Sequence, residues 1–262
     1  MKLIIEDVEL IASLNEKLAQ FGQPISQLGL EYLKGKGFND LRIKTFGCIG
    51  WIWVQWLLKA DKSKVRQVVS DFVGRGLEAY KLTRNVHFRA QHDLFLLHCA
   101  IYASPDSQLE AVAEAVIDSS GAHGCSLKND GELYHGSYCG MLKYAILDNR
   151  ADCEKEYQVM KDAYINPAFR GAAKPLIKNW IEGNIDDFVR NQAKDFERLW
   201  KFADKYRIAV QNGENKTLQL GKISTEQNWC WGHCGLAMLF HRKGAKVATD
   251  ELWFPESALI RT

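Results

Sequence analysis

Apolar side chains recur at three- and four-residue steps in one segment after another, and this period constrains the fold more than any other property of the chain. Val8, Ile11, Leu14, Leu18 and Phe21 set the pattern ahead of Gly22 and Pro24, which stop a helix. Residues 41–58 read as a second helix, apolar nearly all round, with Trp51, Trp53 and Trp56 on a buried element. Val65, Val68, Val69, Phe72, Val73, Leu77 and Tyr80 place one apolar stripe on a helix over 61–82, with Asp61 and Ser63 as caps. Further helices are predicted over 88–102, 109–117, 133–147, 150–164, 167–181 and 185–210. Asn184, Asp186 and Asp187 put a cap and two carboxylates at the start of the longest, where the helix dipole favours them.

Strand signals are few. Thr217 to Leu220 alternates and Lys246 to Thr249 is short, so at most a minor two-stranded element near the C-terminus is expected. Residues 121–131, rich in glycine with Ser126, Asn129 and Asp130, read as a loop. Five prolines in 262 residues leave little punctuation for a linker. The expected fold is all-α, an irregular bundle of antiparallel helical hairpins forming one domain over 1–262.

The charge balance, 34 basic against 32 acidic side chains, supplies no broad field for a polyanion, so nucleic acid is not an expected partner. Seven cysteines, an odd number set among apolar residues, suit reduced thiols in a cytosol better than a disulfide framework. Glu6, Asp7 and Glu9 break up the N-terminal region where a signal peptide needs an uncharged run. The longest apolar stretch, Phe46 to Leu58, is interrupted by Gln55 and ends at Lys59, short of a bilayer span. A cytoplasmic protein without a membrane partner is expected.

Residues 229–253 hold three of the eight tryptophans, two of the seven cysteines and two of the seven histidines. On a helix Cys230, His233 and Cys234 share one face, and two thiolates with an imidazole are the start of a zinc site. His123 with Cys125, or His135 with Cys139 at i, i+4, would have to complete it. No pair has the C-x₂-C spacing, and free cysteine is common in helix cores, so interior packing is the expected role and no metal or cofactor is assigned. For nucleophilic chemistry Cys125, beside His123 in the glycine-rich loop, is the best single candidate, but the base and oxyanion hole are spatial partners that spacing does not reveal. His87, His92 and His98 lack a metalloprotease spacing. Phosphate-loop, dinucleotide and Gly-x-Ser-x-Gly signatures are absent from the sequence.

Two charge clusters are candidates for steering a partner: Glu182, Asp186, Asp187, Asp195 and Glu197, and Lys59, Lys62, Lys64 and Arg66. Solvated helix-end charge is the simpler reading of both. The tryptophans at 51–56 and 229–231 pose the same choice between interface and core, and their spacing in apolar helices favours the core.

The ending from Trp229 through Trp231, His233, Cys234, Gly235 and Gly244 to Trp253, Phe254 and Pro255 resembles the C-terminal signature, residues 229–259 here, of all-α immunity proteins from bacterial polymorphic toxin systems. The group most alike is immunity protein 49; more loosely, it is similar to immunity proteins that neutralise nucleases. The resemblance implies a protein without catalysis or cofactor, made in the cytosol, that neutralises the toxin or effector encoded nearby by binding it. It implies structural roles for Trp229, Trp231, His233, Cys234, Gly235, Trp253 and Pro255, with Gly235 allowing close helix approach and Pro255 fixing the tail. Two alternatives stand beside it: an enzyme with a thiol or zinc centre drawn from Cys125, His135, Cys139, Cys230, His233 and Cys234, and a helical adaptor with an unrelated protein partner.

Overall fold

The computed structural model describes residues 61–82, 90–121, 127–162, 178–211 and 231–249, with Phe254, Glu256 and Leu259. The expected helices over 8–21 and 41–58, most of 167–181, and Thr217 to Leu220 lie outside the described residues. The described residues form an all-α fold, and no strand or sheet occurs among them. Lys246 to Thr249, read as a short strand, belongs to neither helix nor sheet. No helix among the described residues is long and apolar enough to cross a membrane.

Helix α1 spans Lys62–Leu82, and Asp61 caps it: Asp61 Oδ1 accepts the Ser63 N–H at 2.9 Å and the Ser63 hydroxyl at 2.6 Å. Its stripe of Val65, Val69, Phe72 and Val73 is buried against α2, Ala90–Ala103. Helix α2 lies at the centre of the described helices. Every side chain from Asp93 to Ala103 is buried, because α1, α3, α4 and α7 surround it, which is why its apolar residues run all round rather than on one stripe.

Ser104 and Pro105 break the chain after α2, and α3, Asp106–Ala115, buries Leu109, Val112 and Ala113. Helix α4, Asp130–Ile146, begins at Asn129, whose Oδ1 accepts the Glu132 N–H at 2.9 Å. Asp148, at φ 54°, then turns the chain tightly into α5, Arg150–Asp162. The Asn149 N–H donates to Tyr144 O (2.8 Å), closing α4 with a six-to-one bond, and α4 and α5 pack as an antiparallel hairpin.

A helical turn over 178–181 ends at Gly183 (φ 69°), and Asn184 caps α6, Ile185–Gln211, by accepting the Asp187 N–H at 3.2 Å. Helix α7, Trp231–Arg242, ends in the same manner at Gly244 (φ 87°): Ala245 N–H reaches Phe240 O at 3.0 Å and Gly244 N–H reaches His241 O at 2.9 Å. Phe240 joins α7 to α6 and to the 178–181 turn, its ring lying edge-on to Phe188 (4.7 Å between centroids) and Trp180 (6.1 Å).

Candidate functional site

Helix α7 carries the described part of the C-terminal signature, and from Gly235 to Phe240 all its side chains are buried in the core. A Cβ built on Gly235 would fall 2.8 Å from His98 Cδ2 and 2.9 Å from His98 Nε2, so α7 meets α2 over bare backbone. Further along, Arg242 lies almost flat against the C-terminus of α2. Its Nε donates to Ile101 O (2.9 Å), Nη2 to Ser104 O (2.6 Å) and Nη1 to Asp106 Oδ1 (2.7 Å). From the other side Arg66 Nε donates to Ala103 O at 3.1 Å. Two cations from neighbouring helices thus meet the negative end of the central helix and satisfy Ile101 O and Ala103 O of its last turn. Phe254 is fully buried. Trp231, His233 and Cys234 are helical, with their side chains outside the description, as are Trp229, Cys230, Trp253 and Pro255 altogether.

The thiols and imidazoles that are described point away from nucleophilic chemistry. Cys99, Cys139 and Cys153 are buried free thiols. Burial pushes the Cys139 thiol well up, with Asp93 adding to the effect, and raises Cys153 to about 12, so both stay protonated at neutral pH. His98 lies between the rings of Tyr102 and Tyr138, and burial lowers its pKa to about 3. His135 Nδ1 sits 2.6 Å from Gly131 O, and burial again favours the neutral ring. His135 and Cys139 share a helix, yet no group of three or more ligand-type side chains able to hold a metal forms among the described residues. His123, Cys125, His87 and the side chain of His92 lie outside them.

A polar cluster that the sequence pattern did not reveal joins the segment after α3 to α4 and α5. Glu156 of α5 is 7 % exposed; its Oε2 accepts the Ser119 N–H and its Oε1 the Ser119 hydroxyl, each at 3.0 Å. Asp118 Oδ2 accepts from the Tyr144 hydroxyl at 2.8 Å, and its Oδ1 accepts from Ser120 N–H at 2.9 Å and from the Ser120 hydroxyl. Lys143 Nζ donates to Val116 O at 2.9 Å. Burial raises the Glu156 pKa to about 7, against the pull of the Ser119 donors and with Asp118 adding to the rise. Burial acts on Asp118 in the same sense, but the Ser120 and Tyr144 donors outweigh it and hold that carboxyl below its ordinary value. Gly140 makes the meeting possible: a Cβ there would stand 2.7 Å from Glu156 Cδ and 2.8 Å from Asp118 Cβ.

The two surface charge clusters divide differently from their sequence reading. Asp195 is buried at 1 % exposure, because it follows Phe188 and precedes Phe196 on the inward face of α6. Glu182, Asp187 and Glu197 pair with Lys178 (3.7 Å), Arg190 (2.8 Å) and Lys201 (3.2 Å) on their own helical surfaces. Arg66 turns inward as a carbonyl donor, leaving Lys62 and Lys64 exposed, while Lys59 lies outside the description. An open depression of about 510 Å³ lies between the start of α6 and the chain after α7, lined by Gly183, Asn184, Ile185, Asp186, Ala245 and Lys246. Ile185, 39 % exposed, is the large apolar side chain it offers to solvent.

Comparison with models of known protein families, with curated proteins and with solved structures finds no match to this chain.

Proposed function

We propose that this protein is an immunity protein that binds a toxin or effector domain encoded nearby and neutralises it by stoichiometric occlusion in the cytoplasm. The observation that carries the reading is the C-terminal segment itself, whose residues resemble the signature of all-α immunity proteins. Its described stretch, Gly235 to Phe240, is core, as a structural signature requires. The described thiols, held in their protonated form by burial, lend no support to the rival enzyme.

An antagonist of this kind must hold free toxin very low, which asks for sub-micromolar binding, on the order of 8 kcal/mol or more. A helical body with capped ends loses little ordering entropy on docking, and a patch of about 1,600 Å² is the usual size of such an interface. The test is co-expression with the product of the adjacent gene. A one-to-one complex on size exclusion, and growth of toxin-expressing cells only when this chain is present, is the expected outcome. Equal survival with and without it rules the reading out. Metal analysis of the same purified protein bears on the thiol or zinc alternative.

A further inference from the structure

Arg66 and Arg242 approach the same end of α2 but are used differently. Arg242 commits its Nε and both Nη nitrogens to Ile101 O, Asp106 Oδ1 and Ser104 O, and its side chain is 9 % exposed. Arg66, half-buried, is held by one bond, from Nε to Ala103 O, and neither of its Nη nitrogens has an acceptor among the described residues. What it has left to offer is the end-on fork of Nη1 and Nη2, whose spacing matches the two oxygens of a carboxylate.

The charge around that fork is unbalanced. Lys62 stands one helical turn before Arg66 on the same face of α1, exposed and without an ion pair among the described residues. The first turn of α1 holds no acidic side chain, so Lys62 and the exposed Lys64 sit at the positive end of the helix dipole, which disfavours them. Asp61 is committed to Ser63, and Asp106 to Arg242.

The adjoining helix decides what kind of anion fits. Helix α3 is braced to α1 by two bonds: the Ser70 hydroxyl donates to Gln108 Oε1 (2.9 Å), and Gln108 Nε2 donates to Ser70 O (3.0 Å). It has no basic residue, and Asp106, Glu110 and Glu114 recur along it at four-residue steps, all exposed. A nucleic acid covering Lys62 and Arg66 would bring phosphates up to these acids as well, whereas a folded protein can offer a carboxylate to α1 and a cation to α3.

We propose, on the immunity reading above, that the face made by α1 and α3 is where the toxin docks, with a carboxylate of the toxin held in the Arg66 fork. The bond to Ala103 O already fixes the guanidinium, and the Ser70–Gln108 brace fixes the two helices, so little freedom is lost on docking. Lys62 draws the acidic partner in, and Glu110 and Glu114 set its orientation by meeting its cations.

Binding of the full chain to the purified product of the adjacent gene, followed by biolayer interferometry, tests the surface. Arg66→Gln, whose amide can still donate to Ala103 O, is expected to raise Kd at least about thirtyfold, chiefly through faster dissociation. Lys62→Glu is expected to raise it about tenfold, chiefly through slower association, and the effect should shrink as salt is added. Affinity within about twofold of wild type in both variants overturns the surface and leaves the immunity reading standing. An equal loss in Lys201→Glu, on the exposed side of α6, would reveal general charge attraction and overturns it too. So does a double-stranded DNA that binds the wild type and is lost in Arg66→Gln. A wild type that does not bind the product sinks both readings. Should Arg66→Gln not fold, the exposed Lys62→Glu decides alone by the same comparison with Lys201→Glu.

Discussion

Gly235 and His98 meet with nothing between them but the space a methyl group would need: the nearest ring atom is 2.8 Å from where a Cβ at 235 would stand. His98 has no easy retreat, since Tyr102 and Tyr138 lie 6.5 and 6.2 Å away between ring centroids. Helix propensity alone would favour Gly235→Ala by up to about 1 kcal/mol. The clash outweighs it, so that variant is expected to be less stable by about 1–2 kcal/mol, and a larger residue by more. Denaturant midpoints measure this. In a His98→Ala background, with the clash gone, the same substitution should be neutral to stabilising by up to about 1 kcal/mol, which a double-mutant cycle tests.

Arg242 serves two carbonyls at the end of α2 and one carboxylate at the start of α3, with its own side chain 9 % exposed. Arg242→Ala would strand Ile101 O and Ser104 O and remove positive charge from the helix end. A loss of about 2–4 kcal/mol is expected. Lysine, with one ammonium in place of a planar fork, should recover less than half of it. Asp106 is 71 % exposed, so Asp106→Ala should shift stability by no more than about 0.5 kcal/mol. A larger Asp106 effect in thermal or urea unfolding would contradict this division of roles.

The helices were legible because their information is local. The period of apolar residues and the turn chemistry at Asp61 and Asn184 place α1 and α6 within a residue or so of where they lie. Lys246 to Thr249 is too short to form a sheet by itself, and Thr217 to Leu220, the other strand candidate, lies outside the described residues. Asp195 is legible from its phase: with Phe188 and Phe196 it falls at i, i+7 and i+8 on one face, which turns it inward despite its charge. Glu156 and Ser119 stand 37 positions apart, and the spacing of an acid and a serine at that separation carries no periodic signal. Arg242 with Ile101 is 141 apart and equally silent. Within the signature segment the contact of Gly235 with His98 is visible, while the chemistry of His233 and Cys234 depends on side chains outside the described residues.

Cys99, Cys139 and Cys153 are expected to resist alkylation in the folded protein. Each is buried, and for Cys139 and Cys153 burial holds the reactive thiolate far below its usual share at pH 8. Peptide mapping after timed iodoacetamide treatment should show these three labelling at least about a hundredfold more slowly than in denaturant, since access requires opening of the core. Prompt native labelling of Cys139 would place it in a solvent-reachable cleft and revive the thiol-centre alternative.

Stability against pH should show two opposed contributions. His98 is neutral in the fold, with a pKa near 3 against an ordinary 6.5, so the unfolded chain binds the extra proton between those values; stability from this group is full above pH 6.5 and is lost as pH falls toward 3. Glu156 works the other way. Its folded pKa of about 7 lies above the ordinary 4.5, so its contribution is full below pH 4.5 and is lost as pH rises through 7. The His98 effect is worth a few kcal/mol at most, and that of Glu156 about 1–2 kcal/mol once solvent screening is allowed for, so between pH 4.5 and 6.5 they partly cancel. Glu156→Gln should therefore steepen the acid loss in that window and remove the decline between pH 6.5 and 7. His98→Gln, neutral at every pH, should flatten the acid limb instead. Urea midpoints taken from pH 4 to 8 on the three proteins check both slopes, and an unchanged profile in either variant removes that residue from the account.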